Sequence, residues 1–131
     1  MNEVMKLMQS HNSVRSYTGE SIDETMLEEI IACGQAAASS SFIQAYSIIR
    51  VTDQDKRRLI AEASGGQSWI IDAAEFLVLC ADMQRVNYAS QKSGQGELQG
   101  YAEHFLAATV DTALMAQNMM LAAESFGLGC V

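Results

Sequence analysis

The sequence predicts one domain that mixes helices with short strands. Three observations carry this. Apolar residues recur at spacings of three and four in separate stretches, the period of a helix with one buried face. Two short apolar runs, Tyr46-Ser-Ile-Ile-Arg-Val51 and Phe76-Leu-Val-Leu-Cys80, lack that period and read as strands. A chain of 131 residues with 49% hydrophobic and 18% charged side chains has enough apolar surface for one core, which excludes disorder.

The elements follow in order. Val4 to Ser10 has apolar residues at 4, 5, 7 and 8 and reads as a helix. Ser21-Ile-Asp23-Glu24 opens a second helix, with acids in its first turn and Met26, Leu27, Ile30, Ile31 and Cys33 along it. Gly34 to Ser41 has the small, polar composition of a helix end and a loop. The first strand follows, then Asp53 caps a short helix, Gln54 to Glu62, which Gly65-Gly66 ends. Phe76 to Cys80 reads as a strand buried on both faces. Asn87 to Gly100 is polar and glycine-containing and reads as a mobile excursion.

Tyr101 to Phe126 is the longest helix. His104, Asp111, Asn118 and Ser125 recur every seven residues, about two turns, and form one narrow polar stripe. Most of the remaining circumference is apolar, so this helix is either the centre of a domain or the seam of an oligomer. Gly127 suits the position that ends it, and Leu128 to Val131 looks like the beginning of another strand. The chain is therefore expected to be the N-terminal part of a longer domain. A short form completed by dimerisation is the competing expectation.

Charge and cysteine usage exclude several classes. Eight basic residues against sixteen acidic ones give a net charge of −8, which disfavours nucleic acid as a partner. Lys56-Arg57-Arg58 alternates with Asp53 and Asp55 and reads as a solvated helix face. The longest uncharged apolar stretch, Thr112 to Ala123, is shorter than the roughly 20 residues a membrane span needs. Met1 to Ser10 carries charge and no apolar run, so no secretion signal is expected. Cys33, Cys80 and Cys130 lie far apart, form no metal-ligand spacing, and read as buried, reduced thiols of a cytoplasmic protein. His104 and Asp111 alone are too few for a metal site, so none is expected.

Four features are left for chemistry: His11-Asn12-Ser13-Val14-Arg15, the run Ser39 to Gln44, Gly65-Gly66-Gln67, and the helix exit Glu124 to Gly129. Arg15 offers a bidentate match to phosphate oxygens. Nothing resembles a nucleophile elbow, so no hydrolase is expected. Taken one at a time, each feature also reads as an ordinary loop or surface.

Their ordered combination is more specific. His11-x-Ser13-Val14-Arg15-Ser16-Tyr17, Ser39 to Asp53, Gly65-Gly66-Gln67, Asp72-Ala-Ala-Glu75-Phe76, Ala116-Gln-Asn118 and Ala122 to Gly129 occur in sequence. Together they resemble the oxygen-insensitive NADPH nitroreductase and NADPH-flavin oxidoreductase family over essentially the whole chain. The resemblance implies an α+β nitroreductase-like fold, with a mixed sheet flanked by helices and a long central helix at a homodimer seam, here residues 101–126. It implies bound FMN and a ping-pong cycle, in which NADPH or NADH reduces the flavin and nitroaromatics, quinones or free flavin reoxidise it. The flavin carries that chemistry, so no catalytic side chain is assigned.

The resemblance places His11, Asn12, Ser13 and Arg15 at the FMN phosphate and ribityl chain, Ser39 near the flavin, and Gln67 at the polar part of its ring. Asn12 departs from the family pattern, which has arginine there. Further family contacts fall beyond Val131. A non-catalytic remnant that binds flavin or only dimerises is the alternative the resemblance leaves.

Overall fold

The computed structural model describes residues 2–131. Helix α1 (Glu3–Gln9) begins where the Asn2 side chain accepts from the Met5 N–H, and α2 (Glu24–Gln35) where Asp23 accepts from Thr25. Each cap satisfies a backbone donor that the first helical turn leaves free. A 3₁₀ turn (Ser40–Phe42) leads into β1 (Tyr46–Arg50). Asp53 caps α3 (Gln54–Ala63) by accepting from Asp55 and Lys56. A short α4 (Trp69–Asp72), β2 (Leu77–Ala81), α5 (Gln84–Lys92) and the 24-residue α6 (Ala102–Ser125) complete the chain.

The two strands pair antiparallel, with Tyr46 opposite Ala81 and Arg50 opposite Leu77. The C-terminal segment does begin another pairing, because Cys130 forms a parallel bridge with Ser13. The core is Ile30 from α2, Tyr46 from β1, and Met115, Met119 and Ala123 from α6. Gly34 sets the approach of α2 to α6. A Cβ there would lie 2.5 Å from Met119 Cγ, so only the missing side chain lets the helices meet this closely.

Several expectations are corrected. Strand β2 is half-buried along its length, since a strand of a two-stranded antiparallel ribbon has less cover than one in a parallel sheet. The polar stretch after it contains α5, which is mostly polar, has no buried residue and starts without a side-chain cap at Met83. Arg57 is 3% exposed. It is no part of a solvated face, because its guanidinium donates to the carbonyls of Val51, Ala73 and Ala74. Cys33 is exposed, and Cys80 and Cys130 are partly so. In α2 the 3.6-residue period puts Leu27, Ile30 and Gly34 on the inner face and leaves Cys33 about 100° round from Gly34. All three cysteines are free thiols.

Helix α6 turns the middle of its polar stripe inward, while Ser125 at its end is exposed. Asp111 is 1% exposed, and Asn118 donates to the Cys33 carbonyl of α2. An apolar side other than the one that carries Met115, Met119 and Ala123 faces out, with Phe105 70%, Leu106 60%, Val110 53% and Leu114 42% exposed. No helix among the described residues is long and apolar enough to cross a membrane.

Candidate functional site

The segment from His11 to Arg15 leaves α1 without regular structure and lies against the C-terminal end of α6. Two hydrogen bonds fasten it. His11 Nδ1 lies 2.5 Å from Glu124 Oε1, and the Val14 N–H donates to the Cys130 carbonyl at 3.0 Å. Gly129 makes this approach feasible, since a Cβ there would stand 2.8 Å from Val14 Cγ1. Glu124 Oε2 is buried without a hydrogen-bond partner among the described residues. Cys130 Sγ reaches Glu124 Oε1 at 3.9 Å, and burial followed by the Glu124 charge pushes this thiol up. Burial and Cys130 likewise raise Tyr17, whose hydroxyl donates to the Val14 carbonyl.

At the far end of the segment, the Arg15 guanidinium carbon lies 5.6 Å from the centroid of the Trp69 ring. Trp69 opens α4, and the Gly65-Gly66-Gln67 turn leads into it. Both glycines have positive φ, 89° and 81°, which allows this tight reversal after α3. Gln67 Nε2 donates to the Ser64 carbonyl, which leaves its second amide hydrogen and its carbonyl free to contact a ligand. Asn12 Nδ2 donates to the Ser10 carbonyl. Asn12, Ser13 and Arg15 are all exposed.

The loop after Ser39 is strained. Ser41, Phe42 and Gln44 all have positive φ, near 50°, which non-glycine residues rarely adopt. Asp111 holds both ends. Its Oδ1 accepts from the Ser40 N–H at 2.8 Å and its Oδ2 from the Ala45 N–H at 3.2 Å. Arg85 adds bonds to the carbonyls of Gln44 and Tyr46. Such strain persists only where surrounding structure over-determines it. Phe42, at the crest, is 82% exposed.

A sequence model of the nitroreductase family matches residues 8–131. The chain belongs to that family. It is 43% identical over its whole length to an oxygen-insensitive NADPH nitroreductase of Salmonella typhimurium, of which it covers 53%. It is 37% identical to an FMN reductase (NADPH) of Bacillus subtilis, with 98% of this chain and 53% of that one aligned. Nitroreductase A of Vibrio parahaemolyticus superposes with a TM-score of 0.91 at 43% identity, over 98% of this chain and 54% of that one. The NADPH:FMN oxidoreductase of Vibrio harveyi, solved with NAD+, gives 0.90 at 41% identity, over 98% and 54%. The fold is therefore nitroreductase-like. The chain spans about half the length of these relatives.

Within this nitroreductase-family chain, His11 to Arg15 and the Gln67–Trp69 turn converge through the Arg15–Trp69 contact. Ser39 makes no hydrogen bond to them among the described residues and sits at the foot of the loop that Asp111 holds. Sequence reasoning named Glu124 only as part of a helix exit and missed the roles of Asp111 and Trp69 in organising this region. Asp111 and Glu124 belong to polar positions of α6 already visible in the sequence, but nothing there showed that they face inward. Trp69 is the only tryptophan and lies two residues from Gln67, a signal of place without one of role. The described residues contain no group of His, Cys, Asp or Glu side chains arranged to hold a metal ion.

Proposed function

We propose that this protein is an FMN-dependent NAD(P)H oxidoreductase and that His11, Asn12, Ser13, Arg15, Ser39 and Gln67 contribute to its flavin site. The observation that carries the reading is Arg15, an exposed cation without a carboxylate partner among the described residues of a chain with net charge −8. A dianionic phosphate fits it, flanked by the exposed Ser13 hydroxyl and the second Asn12 amide hydrogen. The names of the relatives, NADPH nitroreductase and FMN reductase, support the same reading.

Bound FMN would accept a hydride from NADPH or NADH and pass electrons to nitroaromatics, quinones or free flavin. The chain's own residues bind and orient. Arg15 offers a two-pronged N–H edge to the phosphate. Glu124 holds His11 beside the same segment. Gln67 has a free N–H and a carbonyl for the polar edge of the ring, where a donor stabilises charge gained on reduction. The reading assigns no side chain a nucleophilic or acid–base role. It also takes the outward apolar side of α6 as a homodimer seam, and the free thiols as those of a cytoplasmic protein.

The test is flavin retention. The chain is incubated with FMN, desalted and scanned in the visible, then challenged with NADPH. A retained flavin spectrum that bleaches is expected. Arg15→Ala should weaken FMN binding about tenfold or more, the worth of a charge-assisted hydrogen bond pair. A colourless wild type refutes the reading. A flavin that stays oxidised with NADPH and, in a second challenge, with NADH identifies a binding module without the reductase activity.

A further inference from the structure

We propose that Trp69 is a positioning residue for Arg15, holding the guanidinium without neutralising it and so making the site favour a phosphate-bearing flavin over one that lacks the phosphate. This rests on the flavin reading above.

The chain has five arginines, and the other four are committed to oxygen acceptors. Arg50 is clamped between Glu24 and Glu75. Arg57 is spent on three backbone carbonyls, Arg58 on Asp55, and Arg85 on the carbonyls of Gln44 and Tyr46. Arg15 alone is held by an aromatic ring, at 5.6 Å, inside the range where the negative face of an indole attracts a cation. The difference matters chemically. A carboxylate would occupy the N–H edge of the guanidinium and cancel its charge. An indole engages the cation through its π face and leaves the N–H donors for oxygens elsewhere.

The indole is itself well placed to hold a position. Trp69 is half-buried, and its neighbour Ile70 is buried and receives backbone support through the Ile70 N–H to the Gln67 carbonyl, 3.1 Å. Helix α4 packs on α3. One short helix thus links the phosphate cation to the glutamine assigned to the flavin ring.

The experiment compares FMN with riboflavin, the same flavin without phosphate, on the full chain. Wild type, Trp69→Leu, Trp69→Phe, Arg15→Ala and the Arg15→Ala/Trp69→Leu double variant are titrated with each. Trp69→Leu should lose about two- to fivefold in FMN affinity, the scale of an exposed cation–π contact, and nothing in riboflavin affinity. Trp69→Phe should restore part of the loss. Trp69→Leu should have no further effect once Arg15 is gone. Equal loss for both flavins, or a loss that persists in the Arg15→Ala background, overturns the proposal.

A wild type that binds FMN as well as Trp69→Leu does overturns this inference alone. A wild type that takes up neither flavin overturns it together with the flavin reading. Should Trp69→Leu not fold, the single indole N–H resonance decides. Arg15→Ala is expected to shift it, and an unmoved resonance overturns the proposal.

Discussion

Arg57 and Asp111 carry charge into the interior, and backbone groups receive it in both cases. Arg57 closes three carbonyls that border β1 and the turn after α4. Replacing it with Ala leaves them without that donor and should cost about 3 kcal/mol, read as a urea midpoint shift. Asp111→Ala frees the Ser40 and Ala45 amides and releases a loop with three strained residues. Faster hydrogen exchange at those two amides is expected. Asp82 gives a pH-dependent case. The Ser47 hydroxyl first, then the Gln84 N–H, holds its carboxyl below the usual 3.8. A depressed folded value means that the contact stabilises above the unfolded pKa and is lost as pH falls through the folded one. The stability gap between wild type and Asp82→Asn should therefore narrow in acid below about pH 4 and hold at neutrality. Cys130 behaves in the opposite sense, its thiol held protonated by burial and Glu124. Iodoacetamide followed by mass spectrometry should mark exposed Cys33 well before Cys130.

Helices α2 and α6 make the principal contact of the chain, and their closeness depends on a glycine. Gly34→Ala drives a methyl group into Met119, which is 5% exposed and has little room to retreat. A loss of about 2 kcal/mol in thermal or urea unfolding is expected, the usual scale of overpacking. The elements with an apolar period or a cap were legible before any fold was known: α2, α3 and α6 lie close to where Asp23, Asp53 and Gly127 mark their ends. Helix α5 was not, because Gln84-Arg-Val-Asn-Tyr-Ala-Ser-Gln-Lys92 is mostly polar, buries no residue and starts without a side-chain cap at Met83. Helix α4 is a single turn, too short for a period to show. Of the proposed site, the segment 11–15, Ser39 and Gln67 were put forward from sequence and Glu124 only as part of a helix exit, whereas the contacts that Glu124, Asp111 and Trp69 make span long sequence separations.

The molecule as a whole has more surface than its mass accounts for. A compact monomer of 14.2 kDa would expose about 6,800 Å², and this chain exposes 8633 Å². Part of the excess is the apolar side of α6, where Phe105, Leu106, Val110 and Leu114 stand in solvent. Burial of that stripe against a second copy would remove it from water, at roughly 25 cal/mol for each Å². Sedimentation equilibrium is expected to give twice the 14.2 kDa chain mass. Leu114→Glu should shift the mass to one chain. A wild type that sediments as one chain across micromolar concentrations refutes the seam.

Local chemistry determined much of this protein. Capping side chains, glycine breaks and apolar period set where helices begin and end, because those preferences act within one or two turns. The ordered loop residues marked the family, because the chain keeps them in register. Tertiary structure alone decided which side of α6 faces inward, since a helix with apolar residues round most of its circumference has no unique buried face until a neighbour is present. It decided that Arg57 is buried and Cys33 is not, since an arginine enters a core only when carbonyls from distant segments converge on it. It also set Trp69 against Arg15, 54 positions apart in the sequence, a contact that only packing brings about.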